Sequence, residues 1–408
     1  MATTDAEDTR PPPDVPPAAD NTMQRRGFLR ATGAGALTVA VVGTGALSYR
    51  AYDNRILGAD AGDAFDAWRH WREDSGARGA VAAAVLAASP HNTQPWLFHI
   101  DGDRIDVLAD TARRMGSVDP YSRELHIGLG CALENLVLAA RARGFAPGVT
   151  LRPDVGRPDL VARVILPAGR RHASELYEAI GSRHTNRGPY RDKPVAAGTL
   201  TELAELADEP PASLAWVTAR DDRDSLGRLM VEAARAITSD EEQSRDNFAW
   251  FRAGADDIAA HKDGLTLDGQ GLSPLFSSVA KLLPAASRTR GDTFWVEQTR
   301  KVHTATAAAY GFVLVADPHD TAQQLIGGRL LQRIHLAVTA RGLVLQHMNQ
   351  ISERIDRDQS LGRSSAFTPQ LAALAGHPDR QVLATFRLGH PVRTGRRSPR
   401  RPVKEVLQ

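Results

Sequence analysis

The sequence predicts an α+β fold, internally duplicated, with mixed sheets flanked by helices. Three observations carry that reading. Strand-like runs alternate with helical runs along most of the chain. A helical motif recurs: GCALENLVLAARARGF at 130–145 and GRLLQRIHLAVTARGL at 328–343 agree at seven of 16 positions without gaps. Each copy closes on a glycine placed as a helix C-cap, Gly144 or Gly342. Each also follows a strand-like segment and a polar turn, RIDVLAD (104–110) in one case and GFVLVADPHD (311–320) in the other. A separation of 198 residues is too long for a solenoid. It suggests two related halves, 62–168 and 172–404, of the kind produced when a homodimer fuses into one chain.

Composition narrows the function classes. The 408 residues include 42% hydrophobic ones, enough for a large core, and Lys+Arg 50 against Asp+Glu 48 leaves a net charge of +2. That balance gives no reason to expect nucleic acid as a partner. Cys131 is the single cysteine, so no intrachain disulfide can form. It sits at helical spacing among apolar residues and reads as a buried, inert thiol. HExxH, GxxxxGK[ST] and GxSxG are all missing, and the 13 histidines have no metal-ligand spacing. No metal site is expected.

Residues 1–22, rich in Pro, Asp and Thr, read as a disordered N-terminus. Residues 23–51 contain Arg25 and Arg26, then Phe28, Leu29 and Arg30, then an uncharged run from Ala31 to Leu47 diluted with Gly and Thr. This resembles a twin-arginine export signal. It implies the twin-arginine export machinery as a partner and an extracytoplasmic or membrane-anchored protein. Helices are expected over 63–74, 78–88, 127–143, 174–181, 198–207, 223–238, 295–309 and 325–341. Strands are expected at LFHID and RIDVLAD, joined by a DGD turn, then at VARVILP (161–167), SLAWVTA (213–219), GFVLVAD and VLATFRLG (382–389).

Three stretches carry the candidate chemistry. SPHNTQPW (89–96) joins an Ala-rich helical run to a strand, and a plain connection has no need of its Asn, Gln and Trp. In ELYEAIGSRHTNRGPYRDKPV (175–195), Arg183, Thr185 and Arg187 alternate as the chain leaves a helix, so that on an extended path they share one side. Planar guanidinium forks and a hydroxyl suit a phosphate. Arg400 and Arg401, flanked by Pro399 and Pro402, add two more cations.

Together the three stretches resemble the nitroreductase superfamily, most closely its Acg-like branch of two fused nitroreductase-type halves, over roughly 60–407. The resemblance implies that Arg183, Thr185 and Arg187 hold the phosphate of FMN, with Arg400 and Arg401 completing that site. It implies that Ser89, Pro90, His91 and Asn92 touch the ring and ribityl chain, while Gln94, Pro95 and Trp96 fix the turn. The arginine stretch occurs in one half and the Asn/Gln turn in the other: AFDAWRHWREDS (64–75) has no R-x-[ST]-x-[RK], and ADEPPASLAWV (207–217) has neither Asn nor Gln. One composite FMN site per chain is therefore expected. The implied activity is an FMN-dependent oxidoreductase passing hydride from NAD(P)H through the flavin to a nitroaromatic or quinone acceptor, with no catalytic side chain. The alternative is a non-catalytic flavin-storage protein. The segment 244–294, rich in Gly, Asp and Ser, reads either as a lid or as a helical excursion.

Overall fold

The computed structural model describes Asp60 and residues 62–408. The expected disordered stretch 1–22 and export signal 23–51 lie outside the described residues. After helix α1 (Asp66–His70) comes α2 (Gly76–Ala84), in which every residue from Gly79 to Ala84 is buried, so beyond its first turn it is a core helix rather than an amphipathic one. Strands β1 (Trp96–Asp101) and β2 (Arg104–Ala109) form a hairpin in which Gly102, at φ 59°, supplies the positive φ of a two-residue loop. The 20-residue helix α3 (Arg123–Ala142) follows, then β3 (Gly148–Leu151) and β4 (Leu160–Ile165). The sheet order is β1-β2-β4-β3, antiparallel throughout.

The chain continues through α4 (Glu175–Ala179), α5 (Ala197–Ala204), β5 (Ser213–Val217), α6 (Arg220–Ser239) and α7 (Glu241–Phe248). Then come β6 (Phe251–Arg252), α8 (Ala255–His261), β7 (Leu265–Thr266), α9 (Pro274–Leu282) and α10 (Arg288–Gln298). The last elements are β8 (Ala309–Val315), α11 (Thr321–Ala340), β9 (Val344–His347), α12 (Gln350–Ser360), α13 (Phe367–Ala375), β10 (Gln381–Gly389) and α14 (Val403–Val406). The second large sheet has the order β5-β8-β10-β9. Numbered within its own sheet, each follows the order first, second, fourth, third, with a 20-residue helix between the second and third strands.

Those two helices, α3 and α11, carry the recurring motif and pack against each other at the centre. Asp119 accepts the Glu124 and Leu125 N–H groups at the start of α3 (3.1 and 3.0 Å), and Asp320 accepts Gln323 N–H at the start of α11 (2.9 Å). The helix interface is partly polar: Gln332 Nε2 donates to Asn135 Oδ1 (2.8 Å), and Arg329 pairs with Glu134 (2.9 Å). By length and composition α3 could cross a membrane, but 89% of its apolar window is buried here, as expected of a core helix.

Several expectations need correction. The sheets are not mixed: both large ones are antiparallel, and among the described residues parallel pairing is confined to β6–β7 and to isolated bridges at Phe98–Leu407 and Thr185–Leu345. These bridges mark where the C-terminus returns to β1 and where the 183–187 stretch reaches β9. The helix expected over 295–309 ends early. A π-helical turn, Thr299–His303, closes it, and β8 begins at Ala309. The buried Arg387 guanidinium takes the Val302 and His303 carbonyls (3.4 and 3.0 Å), which caps the helix there despite the Ala-rich sequence that follows.

Candidate functional site

SPHNTQPW forms a tight corner between the end of α2 and β1. His91, Asn92 and Gln94 all have left-handed backbones, at φ 46°, 56° and 52°. Such residues are disfavoured by ~1–2 kcal/mol each, so the corner must be held from outside. Asn92 Nδ2 donates to the carbonyls of Gly264 (3.2 Å) and Pro399 (3.0 Å), and its Oδ1 accepts from Arg400. Gln94 Nε2 donates to Lys262 O (2.8 Å), and its Oε1 accepts Arg401 N–H (2.8 Å). Trp96 is fully buried in the first sheet.

The corner presents Ser89, Pro90 and His91 to a cavity of about 390 Å³. Thr185 and Arg187 line the same cavity, so the structure brings together residues from two of the three singled-out stretches. The floor includes Ile127, Gly128 and Cys131 of α3. Gly128 is required by closeness: a Cβ there would stand 3.0 Å from Pro90 Cδ and 3.3 Å from Ser89 Cβ. Segment 244–294 contributes Asn247, Phe248, Phe251, Leu265, Leu272, Ala280 and Phe294, and Trp295 follows directly. That segment is both helical and a cover, since α7, α9 and α10 wall one side of the space.

Asn92, Arg183, Arg400 and Arg401 do not line the cavity. Arg183 Nη2 donates to Leu86 O (3.1 Å), Arg400 Nη2 to Ala87 O (3.1 Å) and Arg401 Nη1 to Gln94 O (3.3 Å). Arg183 and Arg400 also lie over the Trp68 ring, 5.9 and 4.8 Å from its centroid. They stand behind the corner and brace its carbonyls.

Among the described residues, the cationic side of this region lacks counter-charges. Arg183, Arg187, Arg387 and Arg400 have only carbonyls, side-chain amides, a hydroxyl and a His ring as hydrogen-bond partners. Desolvation lowers all four, Arg183 and Arg187 to about 10. Buried cations without acids are costly to maintain, and of these four only Arg187 lines the cavity. Histidines on the wall stay neutral for the same reason: burial lowers His91 to about 4 and His347 to about 3, and drives His303 well below its usual value. The Nε2 atoms of His303 and His347 are buried without a hydrogen bond.

The opposite wall is acidic. Glu124 of α3 and Glu353 of α12 both reach the cavity. Desolvation raises Glu124 to about 7 and Glu353 well above its ordinary value. The sequence reading missed His303, Gln346, His347 and both glutamates. For 346–350 a signal existed, in the polar QHMNQ that follows an apolar run just after the Gly342 cap. For single glutamates inside helices there was none. Cys131 lies on the cavity floor with 1% exposure, and burial pushes its thiol up to about 12, which leaves it unreactive.

No family model matches the chain. Among curated proteins it is similar to "Putative NAD(P)H nitroreductase Rv3131" of Mycobacterium tuberculosis, 30% identical over 175 residues, 42% of this chain and 50% of that protein. The chain thus spans half the length of that relative. It is also similar to "Uncharacterized protein Rv3127" of the same organism, 25% identical over 350 residues, 81% of this chain and 92% of the relative. Among solved structures, the FMN-dependent nitroreductase NfnB from Mycobacterium smegmatis in complex with NADPH is 18% identical, with a TM-score of 0.36, covering 57% of this chain and 97% of that one. A nitroreductase with bound FMN from Desulfitobacterium hafniense DCB-2 is 13% identical, with a TM-score of 0.35, covering 58% and 98%.

Proposed function

We propose that the chain is an FMN-dependent oxidoreductase of nitroreductase type, holding one FMN in the cavity between the 89–91 corner and the Thr185–Arg187 stretch. The observation that carries this reading is the cationic wall without counter-charges. Arg187 lines the cavity with Gly269 O as its hydrogen-bond partner (3.2 Å), and Arg183, Arg387 and Arg400 stand unneutralised around it. A phosphate of about −1.5 to −2 charges would relieve that wall. The unsatisfied Nε2 atom of His347 suits a polar heteroaromatic ring, and the NAD(P)H nitroreductase name of the Rv3131 relative agrees in chemistry.

When bound, FMN supplies the two-electron chemistry, taking hydride from NAD(P)H and yielding it to an acceptor. The side chains bind, orient and exclude water. Arg187 and Thr185 would hold the phosphate end. Ser89, Pro90 and His91 would support the ring, with the His91 ring fixed by its hydrogen bond to Asn247. Phe248, Phe251, Phe294 and Trp295 would keep the acceptor side dry.

The duplication supports one such site per chain. We infer fused halves over 62–168 and 172–404, with the surviving site drawing its corner from the first and its cations from the second. A twin-arginine export route for residues 23–51 belongs to the same reading, because that route carries folded proteins with their cofactors in place. The test is flavin stoichiometry after denaturation: one FMN per chain is expected, and none or two would overturn it. The cover favours a second reading, flavin storage. Bleaching by NADPH under anaerobic conditions supports the enzyme, whereas bleaching by dithionite alone supports storage.

A further inference from the structure

We propose that Glu353, backed by Glu124, is the proton donor to the acceptor, and that the acceptor is an oxygen-bearing aromatic such as a quinone. The inference rests on the function proposed above and adds a residue and a ligand chemistry to it. Glu353 is 8% exposed and Glu124 5%, and both residues line the cavity. The charged groups around them are Asp119 before α3, Arg123 on α3, Asp356 on α12 and His319 before α11. The one guanidinium, Arg123, donates from Nε to Asp356 (2.7 Å) and from Nη1 to Leu383 O (2.7 Å), and its Nη1 also pairs with Glu124 Oε1 (3.3 Å), so of the two acids it is Glu353 that has no ion pair among the described residues. His319 also pairs with Asp356 (3.1 Å), while Asp119 accepts backbone N–H groups. Glu124 Oε1 makes no hydrogen bond. Glu353 is left with like charges nearby and no cation of its own, a setting that keeps a carboxyl protonated.

A second observation points to what such an acid would meet. His303, 3% exposed, lines the same cavity. Arg387 Nε donates to Gln346 Oε1 (2.8 Å), which orients that amide so that its Nε2 faces His303 Nδ1 (3.4 Å). Nδ1 is then the acceptor, and the neutral ring carries its proton on Nε2, which makes no hydrogen bond. The cavity thus offers an acid O–H and an imidazole N–H, beside Phe248, Phe251 and Trp295. Two donors without acceptors on an aromatic wall suit a flat ligand with carbonyl or nitro oxygens. A quinone would take two electrons and one proton as hydride from the reduced cofactor, and its second proton from the Glu353 carboxyl. The carboxylate left behind regains a proton from water.

The test uses the full chain titrated with FMN, reduced anaerobically with dithionite and mixed with 1,4-benzoquinone or with ferricyanide, which takes electrons without protons. Glu353→Gln should slow benzoquinone reduction by about 100-fold, within the usual range for general acid catalysis, and leave ferricyanide reduction within about threefold. Infrared spectra of the apoprotein at neutral pH should show the carbonyl stretch of a protonated carboxyl group that the variant loses. Equal slowing with both acceptors, no slowing with either, or no such band in the parent would overturn the proposal. Failure to bind FMN would appear in the titration before any acceptor is added, and would count against the function rather than the acid. The infrared arm judges the acid without the cofactor.

Discussion

Gly130 of α3 and Gly328 of α11 meet backbone to backbone. A Cβ on Gly130 would lie 2.9 Å from the Gly328 Cα, and one on Gly328 would lie 3.0 Å from the Gly130 Cα. The two residues occupy the same position in the recurring motif, so the contact is nearly self-reciprocal, as on a two-fold axis. Gly→Ala inside a helix ordinarily stabilises by about 0.5–1 kcal/mol. Here overpacking against backbone should dominate. Gly328→Ala is expected to destabilise by about 1–3 kcal/mol, read as a lower urea midpoint. Gly198→Ala is the control: nothing lies within 4 Å of its Cβ position, and it should be neutral or stabilising.

Arg187 separates ligand binding from stability. Its cation is desolvated in the cavity wall with no acid partner, so Arg187→Met should leave the apoprotein melting midpoint unchanged or higher. FMN affinity should fall by about 10–100-fold, the loss expected for one charge-assisted hydrogen bond. Fluorescence titration with FMN and thermal melts of the same samples check both signs. A lower midpoint with unchanged affinity would make Arg187 a packing residue.

Local signals carried the reading as far as they were local. The β1–β2 hairpin follows from alternating residues around the DGD turn, and the ends of α3 and α11 follow from Gly144 and Gly342. Four-residue β9 was invisible, because VLQH is too short to set a period; what makes it a strand is its pairing with β10. In the site, Thr185 and Arg187 share the cavity side as the alternation implied. Arg183 does not: its N–H still bonds Ala179 O at the helix end, and its guanidinium is held by Leu86 O. The resemblance of its turn made Asn92 an expected ligand contact. Its partners, Pro399 and Gly264, are remote in sequence, and no local pattern could reveal them.

The acidic wall predicts a pH dependence of stability. Folding raises Glu124 from 4.5 to about 7, so the folded state keeps a proton that the unfolded chain releases. Where the folded state binds more protons, stability falls as pH rises. The fall should begin near the unfolded value and level off near pH 7 for this group, with Glu353 extending it upward. The neutral histidines His91, His303 and His347 act with the opposite sign, gaining stability as pH rises through the unfolded imidazole value, so the glutamate contribution is read as a difference: the urea midpoint of Glu124→Gln relative to the parent should rise between pH 5 and 7. A difference that does not change with pH would mean that Glu124 is ionised and compensated.

One buried carboxylate ties the cover to the segment after β2. Asp263, 4% exposed, accepts Arg252 Nε at 2.8 Å from within the cover and also pairs with Arg113. Next to it, Gly264 N–H bonds Asn92 O (3.2 Å), and Lys262 O takes Gln94 Nε2 (2.8 Å), so residues 262–264 form the seam between cover and corner. Replacing Asp263 by Asn leaves two guanidinium groups facing a neutral amide, and breaking a buried pair in this way costs about 3–5 kcal/mol. Part of that loss should appear as local opening rather than global unfolding. Limited trypsin digestion should cut Asp263→Asn faster within 249–290 than the parent, and FMN, once bound, should dissociate faster. Equal digestion and equal release would mean that the aromatic contacts of Phe248 and Phe251, stacked at 6.1 Å, hold the cover without the ion pair.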